Sequence, residues 1–444
     1  MSTTTLEQDP PKWAPRFFTI WSGQAISLLG SQLVQFALIW WLTKATGSAT
    51  ILALASLVGL VPQVVLGPFI GALVDRWNRR LIMIVADSVS ALAVVVLAVL
   101  FALGQVEVWH VFALMFVRSL AGGFHWPAMQ ASTSLMVPQQ HLARVQGLNQ
   151  MLNGGLNIIS APLGAVLLEF LPMQGILAID VVTALLAVLP LFFFTIPQPV
   201  RNGSAQASNG KTSVWQDFRE GWRYVFGWRG LVLIGLMAVI INFLLTPAFS
   251  LLPILVTKHF NGQALQLAWI ESAFGIGILL GGLTLSVWGG FKRRIMTSLV
   301  GLIGMGLGSL AIGFAPPTLV IMAVGAAFLI GFFNPITNGP LFAALQAVVA
   351  PEMQGRVFML ISSFASAMSP IGLLIAGPIA DVLGVQSWFL VGGLVTIVMA
   401  IAAASIPAIV HFEDGKATPP SLPPEPVEIS APVEEVQVQA LEYT

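Results

Sequence analysis

Long apolar stretches, separated by short polar breaks, run through nearly the whole chain. They lie at approximately 17–41, 51–74, 81–103, 108–136, 145–168, 173–195, 230–257, 265–290, 295–314, 318–348, 357–380 and 385–410. About 20 apolar residues in a helix cross the hydrocarbon core of a bilayer. Because a chain in lipid must satisfy its own backbone hydrogen bonds, and because these stretches do not alternate with period two, they predict helices and not barrel strands. The expected fold class is an all-α polytopic membrane protein with twelve spans.

Composition supports this class and excludes several others. Only 9% of the residues are charged and 57% are hydrophobic, whereas soluble domains carry roughly 25% charged residues. The formal net charge of zero offers no overall electrostatic attraction to a nucleic acid. The chain has no cysteine, which excludes disulfides, thiolate metal sites and cysteine nucleophiles. The histidines show no metal-ligand spacing and no catalytic constellation is visible, so we expect no enzymatic activity, metal or cofactor.

Basic residues indicate how the spans are oriented. With the N-terminus in the cytoplasm, sixteen of the nineteen lysines and arginines fall on the cytoplasmic side, Lys44 and Lys258 fall on the other, and Arg118 lies within a span. Positive residues concentrate on the cytoplasmic side of membrane proteins. We therefore expect a multi-pass protein of the plasma or inner membrane with both termini in the cytoplasm. The first stretch is too long for a cleaved signal peptide and is expected to remain as a helix.

The two halves of the sequence repeat each other. Pro127 and Pro138 recur as Pro340 and Pro351, 213 residues later, and "RRLIM" recurs as "RRIM". Six spans duplicated in the same orientation form a parallel repeat, with a substrate near the midplane between the halves. The predicted organisation is a cytoplasmic N-terminus (1–16), a six-helix bundle (17–195), a cytoplasmic linker (196–229), a second bundle (230–410) and a disordered tail (411–444).

The segment "GALVDRWNRR", residues 71–80, concentrates four charges in one loop after the second span. It resembles the signature loop of the major facilitator superfamily, usually written G-x-L-x-D-R-x-G-R-R/K, with Asn78 in place of the second glycine. The resemblance covers residue 16 to about residue 410. It implies two six-helix bundles that rock about a central substrate site.

The resemblance also implies a cytoplasmic gate, in which Asp75 faces the start of span eleven and holds the inner side shut while the outer side is open. The predicted gate residues are Gly71, Asp75, Arg76, Arg79, Arg80, Asp87, Arg144 and Arg356. For the arginines, the alternative is that they are plain positive-inside anchors.

Three ionisable residues lie inside predicted spans: Arg118, Asp180 and Glu271. Each costs at least a few kcal/mol there and is a functional candidate by default. Arg118 opens "RSLAGG", which resembles a second superfamily signature in which an arginine helps proton transfer. We predict that the three residues couple transport to protons, with Glu271 as the main coupling acid on a glycine-rich helix that lines a cavity. The alternatives are a Glu271 at the outer interface and a structural Arg118–Asp180 pair.

Three other acids fall at outer loop ends and are expected to be solvated: Glu107, Glu169 and Asp381. Span five contains "NGGLNIISAPLGAVL", which loosely resembles the glycine- and proline-rich motif of the superfamily's antiporters. Its matching residues are Gly154, Gly155, Pro162 and Gly164. Small residues there would let this helix seal against span eight, which favours antiport. The predicted substrate-cavity residues are Gln24, Asn149, Asn153, Asn157, Asn242, Phe243 and Trp269.

Together these features predict a proton-coupled antiporter that exports small amphiphilic molecules, most similar to the twelve-span branch of macrolide and siderophore exporters. Its expected partners are the substrate, protons and the lipid bilayer, and we expect a monomer. No nucleotide is expected, because "NGKTS" at 209–213 lacks the first glycine of a phosphate-binding loop and follows no strand. One alternative is a dedicated exporter of a siderophore, metabolite or lysolipid. A more remote alternative is a receptor or scaffold that does not transport.

Overall fold

The fold comes from a computed structural model that describes residues 13–194, 196, 219 and 222–413. Within its helices, the side chains of residues 63, 64, 67–69, 71, 72, 75, 76, 143, 351 and 352 are outside this description. Most of the predicted segment 1–16, most of the predicted linker 196–229 and the tail from residue 414 therefore lie outside the described residues.

Twelve helices of at least twenty residues make up most of the described chain, which contains no strand. They are α1 (Trp13–Thr46), α2 (Ala49–Arg76), α3 (Arg79–Ala102), α4 (Val108–Met136), α5 (Gln139–Phe170), α6 (Met173–Phe193), α7 (Arg229–Ser250), α8 (Ala264–Trp288), α9 (Arg294–Phe314), α10 (Val320–Val348), α11 (Pro351–Leu383) and α12 (Val385–Ala404). They coincide with the twelve predicted spans. Ten of them are long and apolar enough to cross a membrane, and α2 and α4 pack against members of that set.

Local sequence signals explain where several helices begin and end. The side chain of Asn78 accepts a hydrogen bond from the backbone amide of Leu81 at 3.3 Å and so caps the start of α3. Gly289 ends α8 with a φ of 74°, a left-handed conformation that glycine adopts without strain. Pro351 stands at the first position of α11. The segment "PEMQGR", which the sequence placed before span eleven, is therefore the first turn and a half of that helix.

Helix packing divides the twelve helices into two bundles of six. In the first bundle, α1 packs against α5 and α6, α3 against α4 and α6, and α2 against α4. Each of these pairs has a counterpart six helices later: α7 with α11 and α12, α9 with α10 and α12, and α8 with α10. The main contacts between the bundles are those of α2 with α11 and of α5 with α8. A shift by six helices turns each of these two contacts into the other. The structure is thus the parallel repeat that the internal sequence repeat predicts.

The two ends of the bundles differ in how they meet. We call the end that carries Arg79, Arg80, Arg144, Arg294 and Arg356 the basic end, and the other the opposite end. At the opposite end, one hydrophobic cluster joins both bundles and contains residues of α1, α2 and α5 together with residues of α7 to α12. At the basic end, the described core residues form two separate clusters, one in each bundle. The bundles are therefore closed against each other at the opposite end, while their cores are separate at the basic end.

Candidate functional sites in the two bundles

A small polar chamber lies inside the first bundle. It has a volume of about 190 Å³ and is enclosed by α1, α3, α4 and α6, which leaves room for several water molecules. Its lining includes four ionisable side chains, those of Asp87, Arg118, His125 and Asp180. Among the described residues, no group of three or more histidines and acids is arranged to hold a metal ion.

Arg118 and Asp180 form an ion pair across α4 and α6. Arg118 Nη1 donates to Asp180 Oδ2, and Arg118 Nη2 donates to the backbone oxygen of Ser31 at 3.2 Å. The hydroxyl of Ser31 donates to Asp180 Oδ1 at 3.1 Å, so both carboxylate oxygens have a donor. Asp180 is only 4% exposed. Such additional hydrogen bonds offset part of the cost of removing both charges from water, and here they tie three helices together.

A second polar pair lies in the same chamber. His125 Nε2 on α4 lies 3.4 Å from Asp87 Oδ1 on α3, and Gln24 Nε2 on α1 donates to Asp87 Oδ2 at 3.1 Å. The sequence assigned Asp87 to the cytoplasmic gate and Gln24 to the substrate cavity, and the structure places both inside the first bundle. These contacts connect α1, α3 and α4 inside the chamber.

A larger cavity lies among the corresponding helices of the second bundle. Its volume is about 640 Å³, and it is lined by residues of α7, α9 and α10 with Phe274 of α8. The polar lining residues are Asn242, Thr246, Ser250, Ser298, Asn334, Thr337 and Asn338. The rest of the described lining is apolar, and none of it is ionisable. A mostly apolar concave surface with a few amides and hydroxyls is typical of sites for small organic molecules.

Glu271 lies on α8 between this cavity and the contact of α8 with α5. Phe274, three residues later, lines the cavity. Gly275, four residues later, faces α5, where an added Cβ would lie 2.9 Å from Ile158 Cγ1. Residues three and four apart share one face of a helix, so Glu271 belongs to the same face. It is partly buried, and no described side chain forms a hydrogen bond or ion pair with its carboxylate.

Two glycines of α8, Gly277 and Gly281, lie outside the lining of the cavity that this glycine-rich helix was predicted to line. In the structure they pack against the backbone of α10, because added Cβ atoms would lie 2.3 Å from Phe328 O and 2.0 Å from Phe332 O. This small-xxx-small spacing allows the close approach of two helices in a membrane.

The glycines and proline predicted on span five lie in α5 and face different neighbours. Gly154 faces α8 and Gly164 faces α1, whereas Gly155 has open space around it. Pro162 lies inside the helix. The hydroxyl of Ser272 on α8 donates to a backbone oxygen of α5 at 3.0 Å. The contact between α5 and α8 that the motif suggests is therefore present, near the middle of both helices.

Of the residues predicted to line a cavity, Asn242 lines the larger cavity and Gln24 lines the chamber. The others lie outside both linings: Asn149, Asn153, Asn157, Phe243 and Trp269. Asn149, for example, accepts a hydrogen bond from Trp21 Nε1 at 2.8 Å. The rotation of each helix about its axis decides which polar residues face a cavity, and an apolar stretch reveals little of that rotation.

Two of the predicted gate residues, Arg79 and Arg80, donate hydrogen bonds within the first bundle. Arg80 donates to the backbone oxygen of Phe192 at 2.9 Å, near the end of α6. Arg79 donates to the backbone oxygen of Ala131 in α4 at 2.9 Å. Arg144 and Arg356 lie at the basic end on α5 and α11, and the side chains of Gly71, Asp75 and Arg76 lie outside the described residues. The gate between the bundles stays a prediction.

Sequence reasoning overlooked three residues that the structure brings into these sites: His125, Asn334 and Asn338. A signal existed for each of them. His125 follows Arg118 by two helical turns, and the asparagines of α10 are one turn apart, so each set shares a helix face. Asp381 lies in neither lining. As expected for a solvated acid it is exposed, and it also accepts hydrogen bonds from the start of α2.

The described part of the protein has twelve long helices in two six-helix bundles. One bundle holds buried ionisable groups and the other an uncharged cavity. This is the architecture of a polytopic membrane transporter. The family model described as Major Facilitator Superfamily matches residues 20–257 and 231–433. Macrolide efflux protein A of Streptococcus pyogenes is 35% identical over 394 residues, which cover 89% of this chain and 96% of that protein. The chain belongs to the Major Facilitator Superfamily, and its function class is therefore transport and not enzymatic catalysis.

Other relatives and solved structures agree with this family. The multidrug efflux pump Tap of Mycolicibacterium fortuitum is 27% identical over 396 residues, 86% of this chain and 93% of that protein. A crystallised variant of the nucleoside transporter NupG superposes with a TM-score of 0.62 at 15% identity, covering 86% of this chain and 98% of that chain. The human organic anion transporter MFSD10 has a TM-score of 0.56 at 16% identity, with 88% and 99% covered. At these identities the two structures show the shared fold alone.

Proposed function

We propose that this transporter is a proton-coupled antiporter that exports small amphiphilic molecules by alternating access. The observation that carries the proposal is the position of Glu271, a partly buried carboxylate without a described partner, one helical turn from Phe274 in the lining of an uncharged cavity. A carboxylate inside a membrane is costly unless it is protonated or paired. Its protonation therefore responds to whatever occupies the neighbouring space.

The cavity of the second bundle is our proposed substrate site. Its apolar lining would remove the hydrophobic part of a molecule from water, and its three asparagines would pair with carbonyl or hydroxyl groups. A volume of about 640 Å³ falls within the roughly 300–1,000 Å³ of small-molecule sites. The relatives named macrolide efflux protein and multidrug efflux pump support a lipophilic substrate of this kind.

Proton movement is assigned to Glu271 with the chamber of the first bundle. Arg118 and Asp180 hold their charges together there, and Asp87 with His125 offers a second titratable pair. We place the protein in the plasma or inner membrane of the cell. We place its basic end on the cytoplasmic side, because positive residues favour that side. With the opposite end closed, the described arrangement is the one expected to load substrate from the cytoplasm.

The test is accumulation of a macrolide and of a lipophilic cation in efflux-deficient cells. Wild type would be compared with Glu271→Gln, with and without a protonophore. The matched control is Glu107→Gln, which neutralises an acid that accepts a hydrogen bond from Trp109 Nε1 at 2.8 Å at the opposite end, outside both linings. We expect wild type and the control to lower accumulation, and both the protonophore and Glu271→Gln to reverse the effect.

Other outcomes would redirect the proposal. Export that survives both the protonophore and Glu271→Gln would overturn proton coupling through this residue. No export of either compound, with the protein present in the membrane, would remove broad efflux and favour a dedicated exporter of a siderophore, metabolite or lysolipid. Failure with those compounds too would leave the receptor or scaffold alternative.

A further inference from the structure

The last turn of α11 contacts the first turn of α2 across the boundary between the bundles. Asp381 Oδ1 accepts a hydrogen bond from the backbone amide of Ala49 at 2.7 Å. Its Oδ2 accepts from the backbone amide of Thr50 at 3.0 Å and from the Thr50 hydroxyl at 2.6 Å. The hydroxyl of Ser48 also donates to Oδ2, at 3.0 Å. One carboxylate of the second bundle therefore receives four hydrogen bonds from three consecutive residues of the first.

These bonds complete the N-terminal cap of α2. The first backbone amides of a helix have no partner within the helix. Asp381 satisfies those of Ala49 and Thr50, and the hydroxyl of Ser48 accepts from the amide of Ile51 at 3.3 Å. A carboxylate at a helix N-terminus is further stabilised by the helix dipole. The cap of α2 is thus supplied partly by another bundle, and α2 loses it if the bundles separate at this end.

Close backbone contact accompanies the hydrogen bonds. Gly377 lies one turn before Asp381 on the same face of α11. An added Cβ on Gly377 would lie 2.8 Å from Thr50 Cα and 3.0 Å from Ala53 Cβ. The two helices can therefore meet this closely only because position 377 carries no side chain. The carboxylate reaches the start of α2 because the glycine brings the helices together.

We propose that Asp381 is a positioning residue of the transport cycle, a latch that fixes α11 to the start of α2 and holds the opposite end closed. Its location agrees with the rest of the molecule. The cluster that joins both bundles lies at the same end, whereas the described cores are separate at the basic end. Opening the opposite end must break all four hydrogen bonds at once.

The latch has a predicted counterpart at the basic end. Helices α2 and α11 run antiparallel, so the end of each lies near the start of the other. Asp381 lies in the last turn of α11, and Asp75 lies in the last turn of α2, where the sequence assigns it to the start of α11. The same pair of helices would then carry one acid latch at each end, with one closed while the other is open. This second half of the inference rests on the alternating access proposed above.

The experiment measures distances between the bundles and needs no substrate. Because the natural chain has no cysteine, spin labels can be placed on single introduced pairs: Ala45 with Val382 at the opposite end, and Leu81 with Gly355 at the basic end. In wild type we expect a short distance at the opposite end. Asp381→Asn removes the negative charge and leaves one carbonyl oxygen for four donors, so the ratio of closed to open molecules should fall roughly tenfold, because hydrogen bonds to an ionised acceptor are stronger than those to a neutral one.

Controls separate the latch from a general loss of structure. Glu107→Gln removes an acid from the same end without touching the bundle boundary and should leave both distances unchanged. Ser48→Ala combined with Thr50→Val removes both side-chain donors to Asp381 and keeps the two backbone donors, so it should shift the same distance in the same direction by a smaller factor. It also removes the bond from the Ile51 amide to Ser48, but that bond lies within the first bundle and does not depend on whether the opposite end is closed. If Asp381→Asn does not fold, this double variant tests the proposal in its place.

The proposal is overturned if Asp381→Asn and the double variant both keep the wild-type distance at the opposite end. It is also overturned if the distances at both ends lengthen together, because that result would indicate loosened packing and not a latch. Neither result depends on which molecule is exported or whether protons drive it. A failure of the antiport proposal can therefore be told apart from a failure of the latch.

Discussion

The chamber of the first bundle and the cavity of the second share three equivalent pairs of helices, α1 with α7, α3 with α9 and α4 with α10, but have opposite chemistry. The chamber is small, about 190 Å³, and holds four ionisable side chains. The cavity is about 640 Å³ and its described lining has none. In the register set by Pro127 and Pro340, Gln24 corresponds to Met237 and His125 corresponds to Asn338. Duplication has therefore kept the architecture while the two copies diverged in polarity.

The ion pair shows this divergence most directly. The residues 213 positions after Arg118 and Asp180 are Gly331 and Gly393. An added Cβ would lie 2.1 Å from Phe274 O at Gly331 and 2.7 Å from Gly306 O at Gly393. The second bundle thus joins its helices by close glycine contacts where the first uses a buried ion pair. At these two positions the second bundle therefore has close helix contact and no charged side chain, whereas the first bundle keeps a buried ion pair.

The largest expected effect comes from removing half of the ion pair. Asp180→Asn leaves the guanidinium of Arg118 buried without a carboxylate, and breaking such a pair costs about 3–5 kcal/mol. We expect a clear drop in the thermal unfolding midpoint in detergent and loss of export. Arg118→Gln combined with Asp180→Asn should recover much of the stability, because no unpaired charge remains, but not the export. A double variant that exports normally would show that the pair is only structural.

A tenfold effect is expected from placing a charge in the uncharged cavity. Asn338→Asp keeps the shape of the side chain but adds a negative charge to the lining, and a charge next to an apolar ligand must lose part of its hydration. Binding of an uncharged lipophilic molecule, measured by quenching of tryptophan fluorescence, should weaken by about tenfold. Asn338→Leu is the control, since it removes the amide without adding charge and should change the affinity less. Equal losses of affinity in the two variants would mean that binding depends on the amide of Asn338 and not on the absence of charge in the cavity.

The smallest effect on stability is expected at the second polar pair. His125→Asn gives the first bundle the residue that the second carries at the corresponding position. Gln24 still donates to Asp87, so the free energy of unfolding should change by only about 1 kcal/mol. If the imidazole takes part in transport, the rate of export should fall although the protein remains about as stable. An unchanged rate of export would confine the proposed proton handling to Glu271 and the ion pair.

Much of the fold was predictable because hydropathy is a local property. Each span needs only about 20 consecutive apolar residues, and the helices lie where those stretches do. The repeat was predictable from paired prolines, and the family from "GALVDRWNRR". The sites were less predictable, since the sequence indicated Arg118, Asp180 and Glu271 as intramembrane charges but gave Asp87 to a gate and overlooked His125.

The sequence by itself therefore determined the membrane class, the twelve helices, their duplication and the superfamily of this protein. Only the tertiary structure decided which residues meet: His125 with Asp87, and Asp381 with residues more than 330 positions earlier in the chain. Such contacts depend on the rotation of each helix about its axis and on the distance between axes. Residues like Gly377 and Gly281 set those distances, and their effect is visible only once the neighbouring helix is in place.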